Sequence, residues 1–267
     1  MPSARSRPQR CRTHLHLLVV VSAGLFACDA PSPECQGGPP WPDPSALHEP
    51  PGLQVVSDQA WNAITGDGWS YLRRASRKND DICISDPGHR SALRIVFTPG
   101  MTPNSEPSVH WIGLRKPRAV FAGWWVKVSP NWTPSPAGGG KISFLHTPSG
   151  QVYSNLGGPH APHRIDINTE WAPYGQQFWE PNVDTTQVFY GQWYRIEWYA
   201  QWESRPGAGD GILRWWVNGT LNGNYTNVHY PSDSGFNQFE FAPTRQVPPV
   251  TEQYMYIGHT HLSALSP

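Results

Sequence analysis

Residues 192–203 read QWYRIEWYAQWE and residues 212–218 read ILRWWVN. In the first run Tyr194, Ile196, Trp198, Ala200 and Trp202 share one parity, and Trp193, Arg195, Glu197, Tyr199 and Gln201 share the other. In the second run Leu213, Trp215 and Val217 alternate with Arg214, Trp216 and Asn218. Residues 236–243 (FNQFEFAP) set Gln238 and Glu240 against Phe239 and Phe241. Residues 140–147 (GKISFLHT) set Lys141 and Ser143 against Ile142 and Phe144. One parity is core and the other mixes rings, guanidinium groups, amides and carboxylates, as in an antiparallel sheet with one wet face. Such a wet face suits a polyhydroxylated ring. Indole and phenol planes stack on apolar C–H surfaces, and planar polar groups make paired hydrogen bonds. The same residue types also occur as cross-strand pairs that only stabilise a sheet, and the pattern by itself leaves both readings open.

The elements that must carry these residues are strands. Residues 119–129 (AVFAGWWVKVS), 163–169 (HRIDINT) and 253–263 (QYMYIGHTHLS) extend the series, and helical periodicity is nearly absent. Asp210-Gly211, Asn218-Gly219 and Asn222-Gly223 read as tight turns. Many short strands with such turns predict an all-β sandwich or barrel. The 20 basic and 20 acidic residues balance, and no basic stripe is seen, which argues against nucleic acid.

The N-terminus reads as an export signal. Arg5, Arg7, Arg10 and Arg12 precede an apolar run, Leu15 to Ala27, that is short for a membrane span. The run ends Leu25-Phe26-Ala27-Cys28, which resembles a bacterial lipobox except for Phe26 at the usually small position. That resemblance implies a lipid on Cys28 and a chain exported to the periplasm or the cell surface. The membrane is then reached through the lipid alone. Pro31, Pro33, Pro39, Pro40, Pro42, Pro44, Pro50 and Pro51 follow, a composition that favours extended chain over packed core. The expected division is a signal peptide at 1–27, a lipidated Pro-rich tether at 28–54 and one domain at 55–267. Cys11 falls in the discarded segment, so Cys35 and Cys83 remain as a disulfide pair in an oxidising compartment. No CxxC or Cys/His finger spacing is present, so no metal site, no structural calcium and no cofactor are indicated.

The run GQWYRIEWYAQWESRPGAGDGILRWWVNGTLNG, with FNQFEFAPTRQ and YMYIGHTHLS, resembles the C-terminal half of concanavalin/laminin-G-like jelly rolls, and more narrowly their polysaccharide-lyase-like branch. VSPNW at 128–132 and GGGKISFLH at 138–146 fit earlier strands of that branch, so the resemblance spans roughly residues 90–263. It implies an all-β, two-sheet antiparallel jelly-roll sandwich that is concanavalin-like and monomeric, with a sugar groove on one sheet. Gly258-His259 stands where relatives commonly carry an acidic residue. The implied partner is a polysaccharide, and the cationic residues Arg195, Arg214 and Lys141 argue for an acidic one.

β-Elimination on such a polymer needs a group that offsets the uronate carboxylate, a base for the adjacent carbon acid, and an acid for the leaving oxygen. Arg195, Arg214, Lys141 or Gln238 could meet the first need. Tyr199, His146, His259 or His261 could meet the others, and the resemblance implies Tyr199 for the acid. Trp193, Trp216, Glu197, Gln238, Glu240 and His259 are the substrate-binding set. By parity His146 reads as a buried structural residue, and His160 and His163 as members of a loop. Glycoside hydrolysis ranks lower, because no strand carries the Glu-x-Asp-x-x-Glu pattern of glucan hydrolases with this fold. A non-catalytic glycan-binding or adhesive module is the alternative, since fold alone does not separate the two.

Overall fold

Alternation becomes strand throughout. In a computed structural model of the chain the described residues are 46–73, 80–84, 91–133, 140–158, 160–231 and 235–266, and among them every regular element is a strand. An eight-stranded antiparallel sheet runs in the order β13 (Thr220–Val228), β12 (Gly211–Val217), β11 (Tyr194–Gln201), β6 (Ala119–Val128), β15 (Gln253–Ala264), β4 (Ser91–Phe97) and β3 (Asp80–Ile84). Its remaining strand, β1 (Gln54–Gln59), pairs with the second half of β15. A seven-stranded antiparallel sheet runs β10 (Gly175–Trp179), β9 (Arg164–Trp171), β8 (Gly150–Gly157), β7 (Lys141–Thr147), β14 (Gln238–Phe241), β5 (Ser108–Gly113) and β2 (Ser70–Arg73). The expected two-sheet, all-β sandwich is therefore what forms.

On β11, β12 and β14 the inward parity is as the sequence set it. Trp198, Trp215, Phe239 and Phe241 are fully buried between the sheets, with Trp124 beside them. The Trp198 ring meets Trp124 edge-on at 6.0 Å and Phe239 at 6.1 Å. The contact with Phe239 ties the centre of one sheet to the centre of the other, while Trp124 and Trp198 are neighbours within the eight-stranded sheet, and aromatic pairs of this kind add to simple area burial.

Two local expectations are corrected. The register of β7 against β8 shifts between Lys141 and Phe144. Ser143 occupies the irregularity, where its N–H donates to Ser154 Oγ at 3.2 Å and its hydroxyl lies 2.7 Å from the same atom. The extra residue flips the parity downstream. Lys141, Phe144 and His146 consequently share the outward face, so His146 is half-exposed and not a core residue. Asn222-Gly223 is not a turn; it lies inside β13. A Cβ at Gly223 would sit 2.0 Å from the Trp215 ring, so glycine makes room for the indole. Finally, the described end of the Pro-rich stretch lies on the protein: Ala46 and Leu53 pack against Ala119, Phe121 and Tyr199 on the outward side of the eight-stranded sheet. Cys28 and Cys35 lie outside the described residues. Cys83 is on β3 with its backbone opposite Ala92, and its side chain is likewise outside the description.

Candidate functional site

The residues singled out from the sequence fall on two opposite outer faces. Trp193, Arg195, Glu197, Tyr199, Arg214, Trp216 and His259 belong to the eight-stranded sheet or its margin. Lys141, Gln238 and Glu240 belong to the seven-stranded sheet. The sandwich separates the two groups, so one sugar unit does not meet both.

The first face is covered at its centre. Glu197 is fully buried, and its carboxylate accepts from the His48 backbone N–H at 3.2 Å, pairs with His48 Nδ1 at 2.8 Å and accepts from Arg195 at 2.9 Å. The His48 ring stacks on Trp216 at 4.9 Å, nearly parallel. Tyr199 is buried beneath Ala46 and Leu53 and donates to Gln201 at 2.7 Å; burial pushes its phenol up from the ordinary tyrosine value. Lys127 Nζ lies over the Trp193 and Tyr256 rings at 5.2 and 4.7 Å. Arg214 bonds Asn224 at 2.7 Å. His259 pairs with Asp58 at 2.9 Å, and His261 reaches Glu49 at 3.1 Å. These contacts hold residues 46–49 over Glu197, Tyr199 and Trp216 on the outer side of the sheet.

The second face is open, and strand register sets its side chains in rows. Gln238, His146, Gln151, Glu170 and Gln176 stand in register across β14, β7, β8, β9 and β10. Two residues along, Trp111, Glu240, Phe144, Tyr153, Asn168 and Phe178 form the next row. Lys141, Asn155 and Asp166 form a third. Side chains two apart on a strand point to one side, so each row lies on the outer side of the sheet; in the second row Phe144, Tyr153 and Asn168 are packed among their neighbours and only 5%, 2% and 5% exposed.

A groove of about 460 Å³ runs across the three rows, lined by Lys141, Tyr153, Asn155, Asn168, Glu170, Gln176 and Phe178. Asn104, Thr244 and Gln246 close it from the loops. The Tyr153 hydroxyl accepts from Gln176 Nε2 at 2.7 Å. Burial is the main influence on this phenol and raises it, and the Glu170 carboxylate adds to the rise; hydrogen bonds from Asn168 and Gln176 act the other way. Lys141 Nζ lies 4.1 Å over the Tyr153 ring, and among the described residues it pairs with no carboxylate. His146 Nε2 sits 2.9 Å from Glu240 Oε1. Gln151 donates to Glu170 at 2.9 Å. Arg164 is committed to Asp166 at 2.7 Å and to Glu180. A Cβ at Gly157 would lie 1.9 Å from Asp166 Oδ2, so glycine there admits that ion pair. Among the described residues no cluster of three or more His, Cys, Asp or Glu side chains is arranged to hold a metal ion.

Tyr153, Asn155, Asn168, Glu170, Gln176 and Phe178 were not singled out from the sequence. For Tyr153, Asn155, Asn168 and Glu170 a signal is present in QVYSNLG and RIDINTEW, where polar and apolar residues alternate; Gln176 and Phe178 lie on the short β10 (GQQFW), which carries no such alternation. The richer aromatic load of β11 and β12 outweighed it.

No protein-family model matches the sequence, and no curated protein matches it either. Solved structures do share the fold, and polysaccharide lyases are prominent among them. An alginate lyase from Chlorella virus superposes with a TM-score of 0.55 at 14% identity, covering 79% of this chain and 100% of that one. An endo-β-1,4-glucuronan lyase from the fungus Trichoderma reesei gives 0.54 at 16% identity, covering 78% and 94%. A mutant alginate lyase in complex with alginate trisaccharide gives 0.51 at 13% identity, covering 66% and 82%. At these identities the likeness is one of fold.

Proposed function

We propose that this protein acts on an acidic polysaccharide laid across the outward face of the seven-stranded sheet, and that it cleaves the chain by β-elimination. The observation that carries the reading is the groove in which the Tyr153 hydroxyl is held by Gln176 at 2.7 Å with the Lys141 ammonium 4.1 Å above its ring. Elimination needs these two groups together. Lys141, helped by the Asn155 and Asn168 amides, offsets the uronate carboxylate and makes the adjacent carbon acid ionisable. A base removes that proton, the carbon–carbon double bond forms, and the bond to the leaving oxygen breaks. Tyr153 delivers its proton to that oxygen. A phenol raised by burial stays protonated through neutral pH, as a donor must. His146, diagonal to Tyr153 across Phe144 and set by Glu240, is the base on this face.

Hydrolysis fits less well. Glu240 and Glu170 are three strand intervals apart, about 14 Å at the usual spacing. Two carboxylates act on one glycosidic bond at about 5–9.5 Å. Asp166 is held by Arg164.

We further propose that the chain is exported and anchored through a lipid on Cys28, with Cys35 bonded to Cys83. The lipobox-like run and the oxidising compartment it implies support this.

The test is a panel of uronic-acid polysaccharides, followed by the ultraviolet absorbance of the unsaturated product and by equilibrium binding. Elimination on at least one polymer is expected. Binding without any new absorbance would establish a glycan-binding module on the same face, and absence of binding across the panel would refute the proposal.

A further inference from the structure

We infer that the preferred substrate alternates a uronate with an uncharged sugar, and is not a polyuronate. This rests on the reading of the seven-stranded sheet's outward face as the sugar site. The supply of positive charge on that face is small. Arg164 is committed to Asp166 and Glu180, and His146 is held by Glu240. Arg245 is buried, where it donates to Gln253 Oε1 at 2.5 Å and to the Thr133 carbonyl. That leaves Lys141, among the described residues, as the cation in the groove without a carboxylate partner. One uronate can be matched there.

The neighbouring positions ask for something else. A pyranose repeat is of the order of the strand spacing, about 4.8 Å. A chain crossing the strands with its uronate at Lys141 and Tyr153 therefore puts the next unit over Asn168 and Phe178 on one side, and over Phe144 and Glu240 on the other. A second carboxylate would meet Glu170 or Glu240 with no counter-charge at hand, a like-charge arrangement that selects against it. Asn168 marks the neighbouring position as one for a sugar. It is 5% exposed and lines the groove, yet its Oδ1 has no hydrogen-bond partner among the described residues. A buried acceptor of this kind requires a donor. A sugar hydroxyl or an acetamido N–H can donate to it; every pyranose unit, uronate included, carries hydroxyls, so this acceptor calls for a sugar without choosing its charge.

The experiment compares four polymers on the mature chain, with calorimetric affinity and release of unsaturated product as readouts. Hyaluronan and unsulfated chondroitin carry one uronate per two sugars; alginate and glucuronan carry one on every sugar. The alternating polymers are expected to be preferred by about tenfold or more, a difference of roughly 1.4 kcal/mol. Glu170→Gln combined with Glu240→Gln should narrow that gap by strengthening alginate and glucuronan binding, provided its melting temperature shows it folded. Equal or tighter binding of the polyuronates, with turnover still lost in Tyr153→Phe, would overturn this inference and leave the site assignment standing. Binding and turnover indifferent to both Tyr153→Phe and Lys141→Met would remove the site assignment, and the inference with it.

Discussion

At the scale of single residues, the chemistry here is decided by which polar groups are buried with partners and which are buried to be used. His163 belongs to the first kind. It is buried, with Nδ1 3.1 Å from the Gly157 carbonyl and Nε2 2.8 Å from the Tyr190 hydroxyl. The neutral ring that donates through Nδ1 and accepts at Nε2 satisfies both contacts. Burial is the main cause that lowers its folded pKa below the ordinary value of 6.5. The unfolded chain then takes the proton first as pH falls, so this stabilisation is complete above about pH 6.5 and is lost progressively below it. Melting curves at about pH 7.5 and pH 5 should show the wild type losing more stability than His163→Gln over that window; equal losses would count against the assignment. Tyr153 belongs to the second kind. Its phenol is raised by burial and held in a groove, so the donor should stay protonated up to at least the ordinary tyrosine value of about 10.

At the scale of elements, β7 and β13 show where alternation is a sufficient guide and where it fails. Most strands were legible, because a period of two needs only one buried face, and Trp198, Trp215, Phe239 and Phe241 sit where parity put them. The irregularity at Ser143 was not legible, since it depends on a hydroxyl contributed by Ser154 of another strand. One displaced residue moved His146 from the expected core to the candidate site. Gly223 misled in the same way: Asn-Gly signals a turn locally, but the Trp215 ring across the strand pair is what requires glycine. Gly223→Ala should therefore destabilise the protein by about 1–3 kcal/mol, as overpacking does, measurable by urea denaturation; a neutral result would mean the indole does not fill that space. The site residues on β8 and β9 were within reach of the sequence pattern, but which sheet stays open depends on residues 46–53 folding back over the other, a long-range contact that periodicity does not encode. That segment also carries a prediction. His48→Ala strips the buried Glu197 carboxylate of its imidazole partner and of the ring over Trp216. It should cost about 1–3 kcal/mol and leave polysaccharide affinity unchanged. A loss of affinity equal to that of Lys141→Met would place the sugar on the eight-stranded sheet instead.

At the scale of the whole molecule, the two outer faces have different work. One is occupied by the chain's own N-terminal residues through His48, Glu49 and Asp58; the other presents Lys141, Tyr153, Asn168 and Gln176 around an open groove. Labelling cells with a fatty-acid analogue should mark the wild type and not Cys28→Ser, and equal labelling would exclude lipid at that cysteine. The fold neighbours include alginate and glucuronan lyases, but the site must be argued from its own residues. The central claim is that chemistry belongs to Tyr153 on the seven-stranded sheet and not to Tyr199 on the eight-stranded one. The most direct measurement compares release of unsaturated product by Tyr153→Phe and Tyr199→Phe on a polymer that the wild type cleaves. Loss of the donor should reduce turnover about a hundred- to ten-thousand-fold in Tyr153→Phe while binding persists, with Tyr199→Phe close to wild type. Full activity in Tyr153→Phe together with its loss in Tyr199→Phe would contradict the account.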